Sequence, residues 1–360
     1  MKRLPLLVCC LLPVLVAAQD AKTIPAGPLA TPDDAFTHAL KKAAAAPIVT
    51  IVSKPRPSPT GDAHDYISYG RYYWPDPAKP GGLPYLRKDG HPNRDQIKLG
   101  DDKQLAALIA NVEALTKGWT RLHREDCARR AGEWLRAWFI TPDTRIKPAF
   151  DYAQIRLGHD HNRGSASGLI DTRDLARLAD AVGQLHGAPG FGAADETAVK
   201  EWFAAYLQWL TTSPNGRKEH EAANNHGSWY LVQAVAIARL LGRDDEARAF
   251  AREDFDRISR QIEPDGRQPL EIARVDGLSY SVFNLEAQLN LARRAAPLGI
   301  DLWHYISPRG GSLRQALDYL RPFDAAPEKW PHAQLAQRPP GFLKPLLAIA
   351  AQLDAEPVRK

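Results

Sequence analysis

Two short stretches of this sequence place reactive side chains where a plain helix core would not need them. In Asn224-Asn225-His226-Gly227-Ser228-Trp229-Tyr230, two amides and an imidazole open an apolar run that continues through Val232, Ala236 and Leu240. One Asn at a helix start is explained by capping, but two followed by a histidine exceed what a cap requires. A histidine there sits at the positive end of the helix dipole, which favours its neutral form. A neutral imidazole can accept a proton on one nitrogen and donate a hydrogen bond from the other. The second stretch runs Gln268-Pro269-Leu270-Glu271-Ile272-Ala273-Arg274 and is followed by Ser279-Tyr280-Ser281. Arg274 and Tyr280 would lie off one another's face on a regular helix, and the Asp276-Gly277 break allows both to turn toward one cleft. A guanidinium meets a carboxylate with paired donors, and a phenol can give up a proton.

A third stretch is aromatic. Between Gly61 and Arg87 lie His64, Tyr66, Tyr69, Arg71, Tyr72, Tyr73, Trp74 and Tyr85, with many Gly and Pro and no helical period. Aromatic rings stack on the apolar faces of sugars, while Arg71 and Arg87 suit carboxylates. Other chemistries find less support. His159 and His161 stand two apart without a clear third metal ligand. Gly164-Ser165-Ala166-Ser167-Gly168 puts alanine where a serine nucleophile would stand.

These groups need a frame, and the chain is long enough for one large domain or two modest ones at 360 residues. Hydrophobic residues make up 44% and charged residues 25%, as in ordinary globular proteins. Lys2 and Arg3, the apolar run Leu4–Val16 and the small residues Ala17 and Ala18 form a secretory leader, residues 1–18, cleaved near Ala18. Its apolar run falls short of the roughly 20 residues that span a bilayer, so no stable membrane anchor is expected. A periplasmic or secreted location follows. Cys9 and Cys10 leave with the leader, and Cys127 alone cannot form an internal disulfide. Residues 19–60 read as an arm with one short helix near Asp33–Ala45, and 61–100 as a long ordered loop. From about 101 the apolar spacing turns helical: Leu105, Leu108, Ile109, Val112 and Leu115 share one face. Similar faces recur near 122–139, 172–186, 195–212, 226–242, 244–262, 278–296, 311–321 and 333–353, with no convincing strand pattern. Short joins between such segments predict antiparallel helix pairs. The formal charge of +5, with no Lys/Arg run, gives no case for nucleic acid and is compatible with an acidic polymer.

In order along the chain, Asp65-to-Pro77, Tyr152-Ala153-Gln154, Gly168-Leu169-Ile170-Asp171-Thr172-Arg173, Asn224-Asn225-His226 and Glu271-to-Tyr280 resemble the alginate lyase family of polysaccharide lyases. The resemblance covers roughly residues 60–325. It implies an all-α domain over 61–355, an incomplete (α/α) toroid of antiparallel helix pairs around a central cleft. It also implies cleavage of alginate or a related polyuronate by β-elimination, without metal or cofactor. The family's central Asn-His pair, Arg and Tyr map onto Asn225, His226, Arg274 and Tyr280. Substrate contacts are expected at His64, Tyr66, Arg71, Tyr72, Tyr73, Trp74, Gln154, Arg163 and Trp229. The chain departs from the family at His159-Asp160-His161, and its Arg-to-Tyr interval is one residue shorter, which leaves the exact uronate open. In such an elimination Arg274 and Asn225 would neutralise the uronate carboxylate, and Tyr280 or His226 would take the C5 proton. Two other classes compete. A glycoside hydrolase would need a carboxylate pair, with Asp171, Asp174 and Glu271 as candidates. A sugar-binding protein without catalysis would explain the aromatic stretch but not Asn225-His226 with Tyr280.

Overall fold

Helix starts and stops follow the local chemistry of the chain. Asn224 Oδ1 accepts from the amide of His226, Ser213 Oγ from that of Gly216 ahead of Pro214, and Ser312 Oγ from that of Gln315. The structure, a computed structural model, describes residues 34–54, 58–356 and 358. The expected leader and the whole of the arm before the first helix lie outside the described residues.

The helices are α1 (Asp34–Ala45), α2 (Arg94–Ile97), α3 (Asp102–Leu122), α4 (Glu125–Leu135), α5 (Leu175–Gln184), α6 (Ala193–Thr212) and α7 (Pro214–His220). They continue with α8 (Asn225–Leu240), α9 (Asp244–Gln261), α10 (Pro269–Ile272), α11 (Gly277–Ala295), α12 (Leu313–Ala325) and α13 (Lys344–Ala355). Helices α3, α5, α8, α11 and α13 pack side by side in chain order as an inner row. Helices α1 and α4 back α3, α6 and α9 back α8, and α12 backs α11. This is the expected incomplete (α/α) toroid.

Helix α8 sits at the middle of that row. Every residue from Gly227 to Ala238 is buried, so the helix is covered on all sides and carries apolar residues all round. Gly227 is required there: a Cβ would come 2.2 Å from the Ala222 carbonyl and 2.1 Å from Arg257 Nη1. The interior behind α8 also holds a run of amides. Gln261 Oε1 accepts from Ser228 Oγ, Asn284 Nδ2 and Gln288 Nε2 at 3.2, 3.1 and 2.9 Å, while Asn284 Nδ2 also reaches Gln268 Oε1 at 2.8 Å. Asn284 Oδ1 and Gln288 Oε1 have no partner among the described residues, but the bonds converging on Gln261 in an apolar interior tolerate little slippage. They therefore fix the start of α8 against α11 and the segment before α10.

The predicted helices are present, with differences that have physical causes. The helix expected over 333–353 begins only at Lys344, because Pro339, Pro340 and Gly341 interrupt it. The short helices α2, α7 and α10 were not anticipated. Neither were two small strand pairs: β1 (Ile67–Tyr69) runs parallel to β4 (Tyr152–Ile155), and β2 (Tyr73–Trp74) antiparallel to β3 (Leu86–Arg87). At two to four residues each, they are too short to display a period of two. They give the aromatic segment its backbone anchors.

Candidate functional site

The site assembles where α8 begins, at the turn between α10 and α11, and beneath the aromatic segment. Asn225 is the first residue of α8. Its backbone N–H donates to Glu271 Oε1 and its amide Nδ2 to Glu271 Oε2, both at 2.7 Å. Glu271 is 1% exposed, and burial raises its carboxyl pKa while the two Asn225 bonds pull it down. The same carboxylate feels the charges of Arg274 and His226. One buried glutamate therefore joins the two halves of the site.

His226 Nδ1 lies 2.6 Å from Glu219 Oε1. An ionised carboxylate can only accept, so in this pair Nδ1 is the donor, and the neutral tautomer that the pair selects is the one with its lone pair on Nε2. Glu219, on α7, is itself buried. Burial raises its pKa, the bond from His226 opposes this, and the nearby charge of Asp171 adds to the rise.

Arg274 donates to Asp89 through Nε at 3.0 Å and Nη2 at 2.8 Å, a bidentate pair. This contact, with the one from Arg87, holds the Asp89 carboxyl below its ordinary pKa. Nη2 also donates to Tyr280 Oη at 2.8 Å, and the guanidinium carbon stands 3.7 Å from the Tyr280 ring centre. Tyr72 Oη lies 2.9 Å from Tyr280 Oη. Burial foremost, then the bond with Tyr72, pushes the Tyr280 phenol above its ordinary pKa. The Asp276-Gly277 break achieves this geometry, since α11 restarts at Gly277 and returns Tyr280 to Arg274.

The other expected contact residues divide. Tyr72 reaches Tyr280 directly. Tyr73 packs edge-on to His159 at 5.9 Å with Arg156 over its ring, and Trp74 Nε1 donates to the His91 carbonyl at 2.8 Å. Arg71 is exposed, and its charge is felt by Asp102. Gln154 Nε2 donates to Asp171 Oδ1 at 2.8 Å, which puts it in the acidic group that borders Glu219.

Four residues lie elsewhere or are sealed. Tyr66 is 1% exposed, with its hydroxyl on Asp102 and Asp171 at 3.1 and 3.3 Å, so its ring is a core ring rather than a stacking surface. Trp229 is likewise buried, packed on Phe283 at 5.1 Å. His64 binds the Arg145 carbonyl and lines a separate groove with Phe139 and Trp202. Arg163 is exposed and pairs loosely with Asp151 at 4.0 Å. Tyr66 and Trp229 are sugar-compatible residue types held in the core, which spacing alone does not distinguish.

The unexpected His159-Asp160-His161 turn has a structural task. His159 Nε2 lies 2.7 Å from the Tyr85 carbonyl, anchoring the aromatic segment, and residues 160–162 all have positive φ. Among the described residues, no group of three or more His, Cys, Asp or Glu side chains could hold a metal ion. The carboxylates considered for hydrolysis have other duties. Asp171 takes hydrogen bonds from Tyr66, Ser68 and Gln154, Asp174 pairs with Arg173 and Arg177, and Glu271 holds Asn225. Sequence reasoning missed Glu219 and Asp89. Glu219 lies at the end of α7 and His226 at the start of α8, so they meet across the turn between two helices and not along one face, and Asp89 meets Arg274 only through the folded loop.

The chain matches the family model described as alginate lyase over residues 50–330. The crystal structure of an alginate lyase from Bacteroides ovatus is similar at 33% identity with a TM-score of 0.82, covering 91% of this chain and 90% of that one. Alginate lyase A1-III of Sphingomonas species A1 is more distant. Its histidine-to-alanine variant complexed with tetrasaccharide is 16% identical, with a TM-score of 0.54 over 84% of this chain and 80% of that one. Its tyrosine-to-phenylalanine variant, also with tetrasaccharide, is 15% identical, with a TM-score of 0.51 over 81% and 77%. At those identities the likeness speaks for the fold alone. No curated protein sequence matches the chain.

Proposed function

The chain belongs to the alginate lyase family and is a polysaccharide lyase, and from that premise we propose that it cleaves alginate by β-elimination, with Asn225, His226, Arg274 and Tyr280 as its reacting groups. What supports the assignment of residues is their nearness to one buried carboxylate: Glu271 is hydrogen-bonded to Asn225 and feels the charges of His226 and Arg274, and Arg274 bonds Tyr280, which meets Tyr72. Elimination needs a carboxylate binder and proton-transfer groups on one sugar ring at once, and this grouping brings both into one small volume.

The C5 proton of a uronate is weakly acidic until its carboxylate is neutralised. Arg274 supplies positive charge, and the Asn225 amide keeps a second Nδ2 hydrogen beyond the one that Glu271 accepts. Both favour the enolate-like charge that builds on the carboxylate as the proton leaves. The C5–H bond breaks, its electron pair forms the C4–C5 double bond, and the C4–O4 bond breaks with O4 receiving a proton. Tyr280 holds its proton in the resting site and is therefore suited to give it to O4. His226 presents the Nε2 lone pair as a base, with Glu219 balancing the positive charge it gains. A syn route in which Tyr280 serves both steps requires the phenol to ionise first, and the Arg274 contact at 2.8 Å is the feature that favours this.

The leader-like first residues support action in the periplasm or outside the cell. The experiment is to incubate the purified chain with polymannuronate, polyguluronate and polyglucuronate and to follow ultraviolet absorbance of the new double bond. Absorbance should rise with an alginate block. Reducing ends appearing without absorbance would mark a hydrolase and overturn the reading.

A further inference from the structure

Charged groups also gather at the other end of the inner helices, and elimination does not use them. A cleft of about 700 Å³ opens between α3, α5, α8 and α11, lined by Trp229 but by none of the four reacting residues. At its far end three guanidiniums meet: Arg239 in the last turn of α8, and Arg293 and Arg294 in the last turn of α11. Arg294 is nearly sealed, with its side chain 3% exposed. Burial first, and then the charges of Arg293 and Arg239, work against its protonated form, and Asp180 opposes them.

Asp180 Oδ2, 2.5 Å from Arg294 Nη2, is the one carboxylate paired with this trio among the described residues. Arg293 donates to Asn290 Oδ1 at 3.2 Å, and Arg239 to the Arg294 carbonyl at 3.3 Å. Glu286 lines the same cleft, but burial raises its pKa and weakens its claim as a counter-charge. Glu113 is taken by Lys117 and Arg177. Three residues that line the cleft each also hold a sealed polar atom with no partner among the described residues: Arg294 Nε, Trp229 Nε1 and Thr116 Oγ1. Buried donors are rarely left open in native proteins. Helix C-termini attract cations by about 0.3–1 kcal/mol each. That accounts for arginines in the last turns, but not for Arg239 and Arg293 both standing without a carboxylate, among the described residues, on a cleft with surplus positive charge.

We propose that this cleft is a second anion-binding site that takes the carboxylates of an oligouronate, at the end of the toroid away from the reacting residues. At 1.5 Å per residue, Arg239 stands about 20 Å along α8 from Asn225, so one sugar ring cannot touch both. The identity of the anion rests on the polyuronate reading above, whereas the site itself rests on the arginine trio.

The test is calorimetric titration of the full chain with the monosaccharide D-mannuronate, which has no glycosidic bond for elimination to break. Two sites per chain are expected for the wild type, and one for Arg239→Gln/Arg293→Gln, with affinity at the remaining site unchanged. Each guanidinium removed should weaken the second site about 10-fold. Arg293→Gln alone, at an exposed position, keeps the test open should the double variant not fold. A single site in the wild type, or two undiminished sites in both variants, would overturn the proposal. So would a variant that shifts the thermal midpoint without altering binding, the result of helix-terminus charge alone. Equal binding of inorganic sulfate at the second site would overturn the uronate assignment. The elimination reading fails separately, through absence of ultraviolet-absorbing product from the wild type.

Discussion

Asp254 offers a quantitative test of how this interior is built. It lies on α9, fully buried, and neither carboxyl oxygen has a hydrogen-bond partner among the described residues. Arg257, one turn later, contributes charge but spends its Nη1 on the Ala222 carbonyl at 2.8 Å and its Nη2 on that of His220. Burial therefore pushes the Asp254 carboxyl up from 3.8 to about 7. Because the folded state holds this proton longer than the unfolded chain, stability is lost as the pH rises from about 4 to about 7 and is level above that. The loss runs at about 1.4 kcal/mol per pH unit and totals about 4 kcal/mol. Asp254→Asn keeps the shape and removes the titration. Urea unfolding of both proteins at pH 5 and pH 8 should show wild type losing about 3 kcal/mol more than the variant between the two. Equal losses would show that Asp254 ionises normally in the fold and refute the reasoning.

Two further outcomes follow from the site. Glu219→Gln keeps an acceptor for His226 Nδ1 and should lower kcat about 10-fold, while Glu219→Ala should lower it about 10²-fold or more with little change in KM. Equal losses in both would mean that Glu219 only supports the fold. Tyr72→Phe removes a bond that raises the Tyr280 pKa, so the alkaline limb of the kcat profile should move to lower pH. An unmoved limb would argue against Tyr280 as the acid.

The helical frame was legible because its apolar residues repeat at 3.6 over ten or more positions, as Leu105 to Leu115 do. Asn225, His226, Arg274 and Tyr280 were legible through the family resemblance and through chemistry in excess of structural need. Their partners were not. Glu219 sits on a seven-residue helix, too short to declare itself, and Asp89 reaches Arg274 across 185 residues of sequence. Tyr66 and Trp229 show the opposite failure, since a buried ring and a sugar-stacking ring are the same residue in a sequence. The helix expected from 333 shows how two prolines override an apolar period.

The central claim is that Tyr280 delivers the proton to the leaving oxygen. Tyr280→Phe deletes one hydroxyl, together with its contacts to Arg274 and Tyr72, and leaves the Arg274–Asp89 pair in place. The direct measurement is the rate of double-bond absorbance from alginate with this variant, alongside its affinity for an alginate tetrasaccharide. The account predicts turnover reduced at least about 10³-fold, with affinity held within a few fold, because the hydroxyl acts in the transition state. Near-normal turnover would contradict it and transfer the acid role to another group, with His226 first in line.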